Sequence, residues 1–433
     1  MANIKVDFNQ KIGKIKAMHG VGQPPFRCTD FSMVEYLKKA GVPYSRLHDV
    51  GGGYGGMRWV DVPNIFGDFD ADPYDPASYN FRFTDMLINA LMKNGVEPFF
   101  RLGVTIENFN PIKYRIYPPA DYQKWAVVCE HIIRHYTEGW ADGFNYDIEY
   151  WEIWNEPDNS SNPDRNPMWK GAKETYYEFY CVAAKHLKSK FPNIKVGGYG
   201  SCGFYNLTGS DGSFGMTNAT TSYYMMYADE FLAYVKKENA PLDFFSWHTY
   251  DPDYKNNRIY AEYAKKRLDE EGFTETETSC NEWNCRGKLR GTYEHAAVTE
   301  ATMLIFQNSP LDNAMFYDGR FGPSIYGGLF NFETAQPYPA YYALTAYNRI
   351  YELKNQTALE CDDEEVIAVA AADGNKGCIV ITNPTAEAIP FDISAQGKIT
   401  KCIMTANDLN DVEVELPTEL PAYSIISVCF DIA

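Results

Sequence analysis

Two short runs in this sequence place acids where bond-breaking chemistry could use them. The first is Trp151-Glu152-Ile153-Trp154-Asn155-Glu156-Pro157-Asp158, an apolar, aromatic β-run cut off by a proline that cannot donate to a ladder. Glu149, Glu152 and Glu156 all lie in this region, but only Glu156 stands in the terminal Asn-Glu-Pro turn. The second run is Thr278-Ser279-Cys280-Asn281-Glu282-Trp283-Asn284. Glu275 precedes that strand and Glu277 lies near its start, so Glu282 is the better-placed acid. Two carboxyls facing one glycosidic bond work by dividing roles. One holds a proton for the leaving oxygen, and the other stays ionised and attacks the anomeric carbon. Burial raises the pKa of the first, and hydrogen-bond donors hold down that of the second. A separation of about 5–5.5 Å gives double displacement with retention, and about 6.5–9.5 Å gives inversion. The plain alternatives are a solvated strand-end carboxylate for Glu156 and an ion pair with Arg286 or Arg290 for Glu282.

Other chemistries find little support. Gly51-Gly52-Gly53-Tyr54-Gly55-Gly56 satisfies G-x-G-x-x-G, but a dinucleotide site needs a helix to start there. Met57-Arg58-Trp59-Val60-Asp61-Val62-Pro63 follows instead, which reads as a flexible loop on the active face. His131 and His135 have i,i+4 spacing, with Ile132 where a zinc protease needs glutamate. Cys280 and Cys285 have no second pair to complete a zinc site. No Gly-x-Ser-x-Gly elbow is present. Neither a metal nor an organic cofactor is expected.

The elements that must carry the acids alternate in type. Strands are predicted at Ile15–Gly22, Tyr44–Asp49, Glu97–Gly103, Glu149–Asn155, Lys195–Tyr199, Asp243–Tyr250, Glu277–Trp283 and Asn313–Tyr317. Helical spacing appears near Ser32–Ala40, Phe83–Lys93, Tyr122–Tyr136, Asp229–Glu238 and Ala340–Leu353. Eight such units suit a (β/α)8 TIM barrel, whose strand C-termini form the active face; an open doubly wound sheet is the runner-up. Glu156 and Glu282 would then stand at the ends of the fourth and seventh strands.

After Leu353 the character changes to short β-runs: Val366–Ala371, Gly377–Thr382, Ile389–Ile393, Thr400–Thr405, Val412–Leu416 and Ser424–Phe430. We therefore expect a catalytic barrel over 14–352 and an accessory C-terminal β-sandwich over 353–433. Lys5–Phe8 has strand spacing and could bring residues 1–13 to the sandwich as an edge strand.

The formal net charge of −19 disfavours nucleic acid and anionic membranes as partners, while a neutral glycoside or oligosaccharide would be indifferent to it. The N-terminal residues lack the charged and apolar regions of a signal peptide, and no apolar run reaches membrane-spanning length. Scattered cysteines, several inside apolar runs, fit a reducing compartment. Together these point to a cytoplasmic location. The aromatic content of 15% suits sugar platforms as well as core packing, and is compatible with a homo-oligomer.

The Trp-Asn-Glu-Pro segment and the seventh-strand glutamate resemble clan A of the retaining glycoside hydrolases. Within it the chain most resembles glycoside hydrolase family 39, the β-xylosidase and α-L-iduronidase family. His19-Gly20-Val21, Arg46-Leu47-His48-Asp49 and Ser246-Trp247-His248-Thr249-Tyr250 carry the likeness. It extends over the whole barrel and the trailing sandwich. The resemblance implies retention, with Glu156 as acid/base and Glu282 as nucleophile. It implies that Arg46 and Tyr250 hydrogen-bond the nucleophile, with His248 beside it. His48 and Asp49 would bind sugar hydroxyls, Asn155 the 2-hydroxyl, and Trp283, Tyr317 and Asp318 would line the pocket. Asn281-Glu282-Trp283-Asn284 departs from the family and looks more like the nucleophile segment of family 51 arabinofuranosidases. The expected activity is therefore an exo-acting β-xylosidase on plant-derived oligosaccharides, with α-L-arabinofuranosidase as the alternative. Rivals of another class are an inactive carbohydrate-binding barrel and a nicotinamide-dependent oxidoreductase.

Overall fold

The computed structural model describes residues 1–27, 29–50, 60–107, 113, 115–285, 287–321 and 328–432. After β1 (Ala2–Lys14) the chain enters a closed parallel barrel. Its strands are β2 (Ala17–Gly22), β3 (Tyr44–Arg46), β4 (Glu97–Leu102), β5 (Tyr150–Ile153), β6 (Lys195–Ser201), β7 (Phe244–Thr249), β8 (Glu277–Trp283) and β9 (Asn313–Phe316). Each pairs with the next, and β9 closes on β2 through Ala17↔Asn313 and Val21↔Phe316. The barrel is the expected architecture; the open sheet is not.

Around it run α1 (Val34–Lys39), α2 (Val62–Ile65), α3 (Arg82–Lys93), α4 (Tyr122–Thr137) and α5 (Lys173–Lys190). The ring continues with α6 (Asn218–Lys237), α7 (Asn256–Glu271), α8 (Tyr293–Gln307) and α9 (Pro339–Tyr351). In α3, Thr84, Leu87, Ile88 and Leu91 form the buried stripe at i, i+3, i+4, i+7. Asp121 caps α4 by accepting from the Lys124 N–H at 2.9 Å. Helix α8 has no such stripe, because His295 through Leu304 are all buried. It lies between barrel strand β2 on one side and the C-terminal sheet on the other.

That sheet comprises β10 (Asn355–Cys361), β11 (Ile367–Asp373), β12 (Lys376–Asn383), β13 (Ile389–Ala395), β14 (Lys398–Ala406), β15 (Leu409–Glu413), β16 (Glu419–Leu420) and β17 (Ser424–Asp431). With β1 it has the order β15-β14-β17-β12-β11-β10-β1-β13-β16. The sheet folds over its own core as a sandwich. Ala368, Ala370, Ile379, Ile381, Ile426 and Val428 face inward. Their alternates Val369, Ala371, Cys378, Val380 and Ile425 join the barrel's core, as the two-residue period of a strand requires. The N-terminal strand is not at an edge. It pairs antiparallel with β10 and parallel with β13, its apolar alternates Ala2, Ile4, Val6 and Phe8 being buried in the sandwich core.

Inside the barrel, side chains stack in layers. Phe99, Tyr150, Phe244 and Met315, with Tyr44 packed against them, fill the N-terminal end. Above them lies a polar layer built on Arg46, Glu152, Ser246 and Asn281, all buried. The C-terminal mouth opens above that.

Candidate active site

Two local irregularities bring the acids to the mouth. At the end of β5, Trp154 and Glu156 have left-handed backbones, φ +72° and +43°. This departure from strand geometry turns the Trp154 ring out among Trp125, Trp169 and Phe179, while Asn155 and Glu156 reach inward. Non-glycine residues held in this region concentrate at functional sites. On β8 the register against β7 steps from Trp247↔Cys280 to His248↔Glu282. Asn281 is the extra residue of a bulge, a device that re-aims side chains, so Asn281 and Glu282 both point into the barrel.

The two carboxyls face one another, with an oxygen of Glu156, an oxygen of Glu282 and a ring nitrogen of His248 all within 4.8 Å. Beneath Glu282, Arg46 Nη1 donates to Oε2 at 3.0 Å, and the Tyr250 hydroxyl donates to Oε1 at 2.5 Å. Arg46 is itself fixed by Nε to Glu152 Oε2 at 2.7 Å and Nη2 to Asn155 Oδ1 at 2.6 Å. The far oxygen of Glu152 accepts from Ser246 Oγ and Asn281 Nδ2, at 2.7 and 2.6 Å. Glu156 Oε1 lies 2.7 Å from His248 Nδ1, and Oε2 accepts from Asn159 Nδ2 at 2.9 Å.

Burial pushes both carboxyls up, each to about 7. Repulsion between them means the pair loses its protons in two steps, so one negative charge is held before the second forms. The donor sets decide where the proton rests. Glu282 is in direct contact with a guanidinium and a hydroxyl donor. Glu156 touches a neutral amide and an imidazole that burial lowers to about 4. The stronger donors thus lie at Glu282.

A cavity of about 260 Å³ opens over this pair, and its described lining includes His48, Asp49, Glu156, Tyr250, Glu282 and Tyr317. Asp49 accepts from the Ile106 N–H at 3.0 Å and lies 3.2 Å from His48 Nε2. Burial raises Asp49 to about 7, and burial with the Arg101 and Arg46 charges holds His48 well below its usual value. The Tyr317 hydroxyl accepts from Gln23 Nε2 at 2.6 Å. Arg46, Asn155 and His248 stand one layer below this lining. Trp283 stands apart from the cavity: its ring packs edge-on against Phe306 and Phe316 on the helix side of β8, because the bulge that turns Glu282 in turns Trp283 out. Asp318 is fully buried and pairs with Arg320 at 2.9 Å.

Several cavity residues were not foreseen. Ile106, Asn159, Cys202, Tyr205, Phe214, Met216 and Tyr224 also line it. Asn159 was within reach of the Asn-Glu-Pro turn, and Gln23 ends the first strand; the residues around the 3-10 turn Tyr205–Leu207 and the start of α6 carry no sequence signal for this role. His131 and His135 are structural, bonded to the Val127 carbonyl at 2.8 Å and to Asp85 at 2.9 Å. Gly51 to Gly56 and Arg286 lie outside the described residues.

A closed (β/α)8 barrel with two facing carboxyls at its C-terminal mouth has the arrangement that glycoside hydrolysis requires. Residues 62–305, more than half of the chain, match glycosyl hydrolases family 39. The chain belongs to that family. It is 27% identical over 239 residues to a β-xylosidase of Geobacillus stearothermophilus, covering 53% of this chain and 40% of that one. A β-xylosidase of Caldicellulosiruptor saccharolyticus is 25% identical over 185 residues, 41% of this chain and 32% of that one. The matched stretch thus spans well under two thirds of either relative. Among solved structures, a glucosidase from Croceicoccus marinus has a TM-score of 0.81 at 21% identity, covering 100% of this chain and 99% of that one. A monomeric β-xylosidase from Caulobacter crescentus has a TM-score of 0.70 at 17% identity, covering 99% of each chain. These two share the fold. No helix among the described residues is long and apolar enough to cross a membrane.

Proposed function

We propose that this chain is a retaining, exo-acting β-xylosidase with Glu156 as acid/base and Glu282 as nucleophile. The observation that carries the reading is the pair itself: one oxygen of Glu156 and one of Glu282 lie within 4.8 Å of each other, a close approach that favours the spacing of about 5–5.5 Å between carboxyl groups used in retention. The acid Glu156 protonates the glycosidic oxygen as the Glu282 carboxylate attacks the anomeric carbon, and the leaving sugar departs as an alcohol. Water then attacks the same carbon, losing its proton to Glu156 and releasing Glu282. Arg46 and Tyr250 hold the nucleophile ionised, Asn155 fixes Arg46 from below, and His48, Asp49 and Tyr317 bind the sugar hydroxyls. The described cavity, at about 260 Å³, falls below the roughly 300–1,000 Å³ usual for larger ligands, which favours one terminal sugar unit. Residues 14–352 form the catalytic barrel in this reading, and 353–433 with 1–13 an accessory sandwich.

The family of the curated relatives favours xylose. The Asn281-Glu282-Trp283-Asn284 tetrapeptide favours α-L-arabinofuranose as the second reading. Initial rates on nitrophenyl β-xyloside, α-L-arabinofuranoside, β-glucoside and β-galactoside decide between them, with β-xyloside expected to lead. Proton NMR of the first-formed sugar is expected to show the β-anomer; first formation of the α-anomer contradicts the mechanism.

A further inference from the structure

Far from the barrel mouth, β12 and β17 run antiparallel with Cys378 directly opposite Cys429. Their sulfurs are 3.4 Å apart. Both side chains lie on the sheet face that meets the barrel, Cys378 buried in the core and Cys429 packed beside it but only partly covered. Opposed residues on antiparallel strands have Cα atoms about 4.5–5.5 Å apart, inside the range a disulfide spans. Small side-chain rotations would bring the sulfurs to bonding distance. Cys402, on the neighbouring β14, belongs to the opposite face and the sandwich core.

We propose that Cys378 and Cys429 form a site of reversible oxidation, closing a cross-strand disulfide by exchange with a small-molecule disulfide. The half-covered Cys429 is the attacking thiol. It shares a hydrogen bond with its neighbour Cys378, and Arg349 and Lys401 place positive charge nearby, which together hold its thiol below the usual range. Arg349 is anchored close by, Nη1 to Ser427 Oγ at 3.3 Å and Nη2 to Asp411 at 2.6 Å. The Cys429 thiolate attacks one sulfur of the reagent, forming a mixed disulfide and expelling one reagent thiolate, which takes a proton. Cys378 then loses its proton to solvent and attacks the Cys429 sulfur, expelling the second reagent thiol. Two protein thiols are oxidised by two electrons, and one reagent disulfide is reduced to two thiols.

The test uses the full chain and oxidised glutathione at mildly alkaline pH. Two of the 10 cysteines should become unreactive toward a thiol reagent, the mass should fall by two hydrogens, and a linked Cys378–Cys429 peptide should appear. Closing a link between residues 51 apart in sequence should also raise the melting temperature by several degrees, reversibly with dithiothreitol. Cys378→Ser should stop at a stable glutathione adduct on Cys429, and Cys402→Ser should leave the link intact. A wild-type protein that keeps all its thiols, retains the glutathione adduct, or links a different pair overturns the proposal. None of these readouts depends on the glycosidase assignment.

Discussion

Tyr250→Phe isolates the electrostatic argument at the nucleophile, because it removes one hydroxyl and leaves the ring. That hydroxyl donates to Glu282 at 2.5 Å, the length of a charge-assisted O–H···O⁻ bond. Hydrogen bonds to charged groups are worth about 1.5–3 kcal/mol, and about 1.4 kcal/mol is one pKa unit or tenfold in rate. The donor stabilises the ionised form, so its loss raises the Glu282 pKa. The acid limb of the kcat/KM profile should then move up by about 1–2 pH units, with a loss of about 10- to 100-fold below the optimum. Rates on a nitrophenyl β-xyloside across the pH range, with a melting curve to confirm folding, measure both. An unmoved acid limb with kcat/KM near wild type would refute the idea that Tyr250 holds the nucleophile ionised.

Glu156→Ala should slow substrates with poor leaving groups most, since good ones need little protonation; equal losses across a leaving-group series would contradict an acid role. Trp283→Ala should cost stability, about 3–5 kcal/mol as for buried aromatics, in a denaturant titration, while KM for the surviving folded enzyme changes little. Glu300→Gln should stabilise the protein near neutral pH. Burial raises the Glu300 carboxyl well above its ordinary 4.5, so the folded state binds a proton that the unfolded state releases. Wild-type stability therefore falls as pH rises beyond about 4.5, and the variant's advantage in melting temperature should vanish below that pH.

The eight barrel strands were legible because each is a short β-type run followed by turn or helix signals. The Asn-Glu-Pro turn marked its own position at a strand end. Helices α5, α7 and α8 fall outside the predicted helical stretches, as does α2, which starts at Val62 within the stretch expected to be a loop, and α6 is predicted only in its C-terminal half. In α8 the reason is physical: a helix buried from His295 to Leu304 has no polar face to give a period. β10 was missed because Asn355-Gln356-Thr357-Ala358-Leu359-Glu360-Cys361 is mostly polar; it is a half-buried strand held by pairing to β1. The site divides along the same line. Arg46 is the last residue of β3 and Tyr250 the first after β7, while Asp49 lies three past β3; the family resemblance, not strand counting, supplies their roles. Strict alternation misplaces Trp283, since a bulge at Asn281 resets the parity. By sequence Glu152 competes only with Glu156, whereas its partner is Arg46, on a strand more than a hundred residues earlier. Phe214 and Met216 lie on the wall between β6 and α6, where only the folded loop brings them to the cavity.

The central claim is that Glu282 bonds to the sugar during turnover. A 2-deoxy-2-fluoro xyloside with a good leaving group should inactivate the enzyme with time. Peptide mapping of the inactivated protein should then find one added fluorosugar on the peptide containing Glu282. A label on Glu156, Glu152 or Asp49, or turnover that proceeds without any covalent adduct while giving the inverted product, would contradict the account.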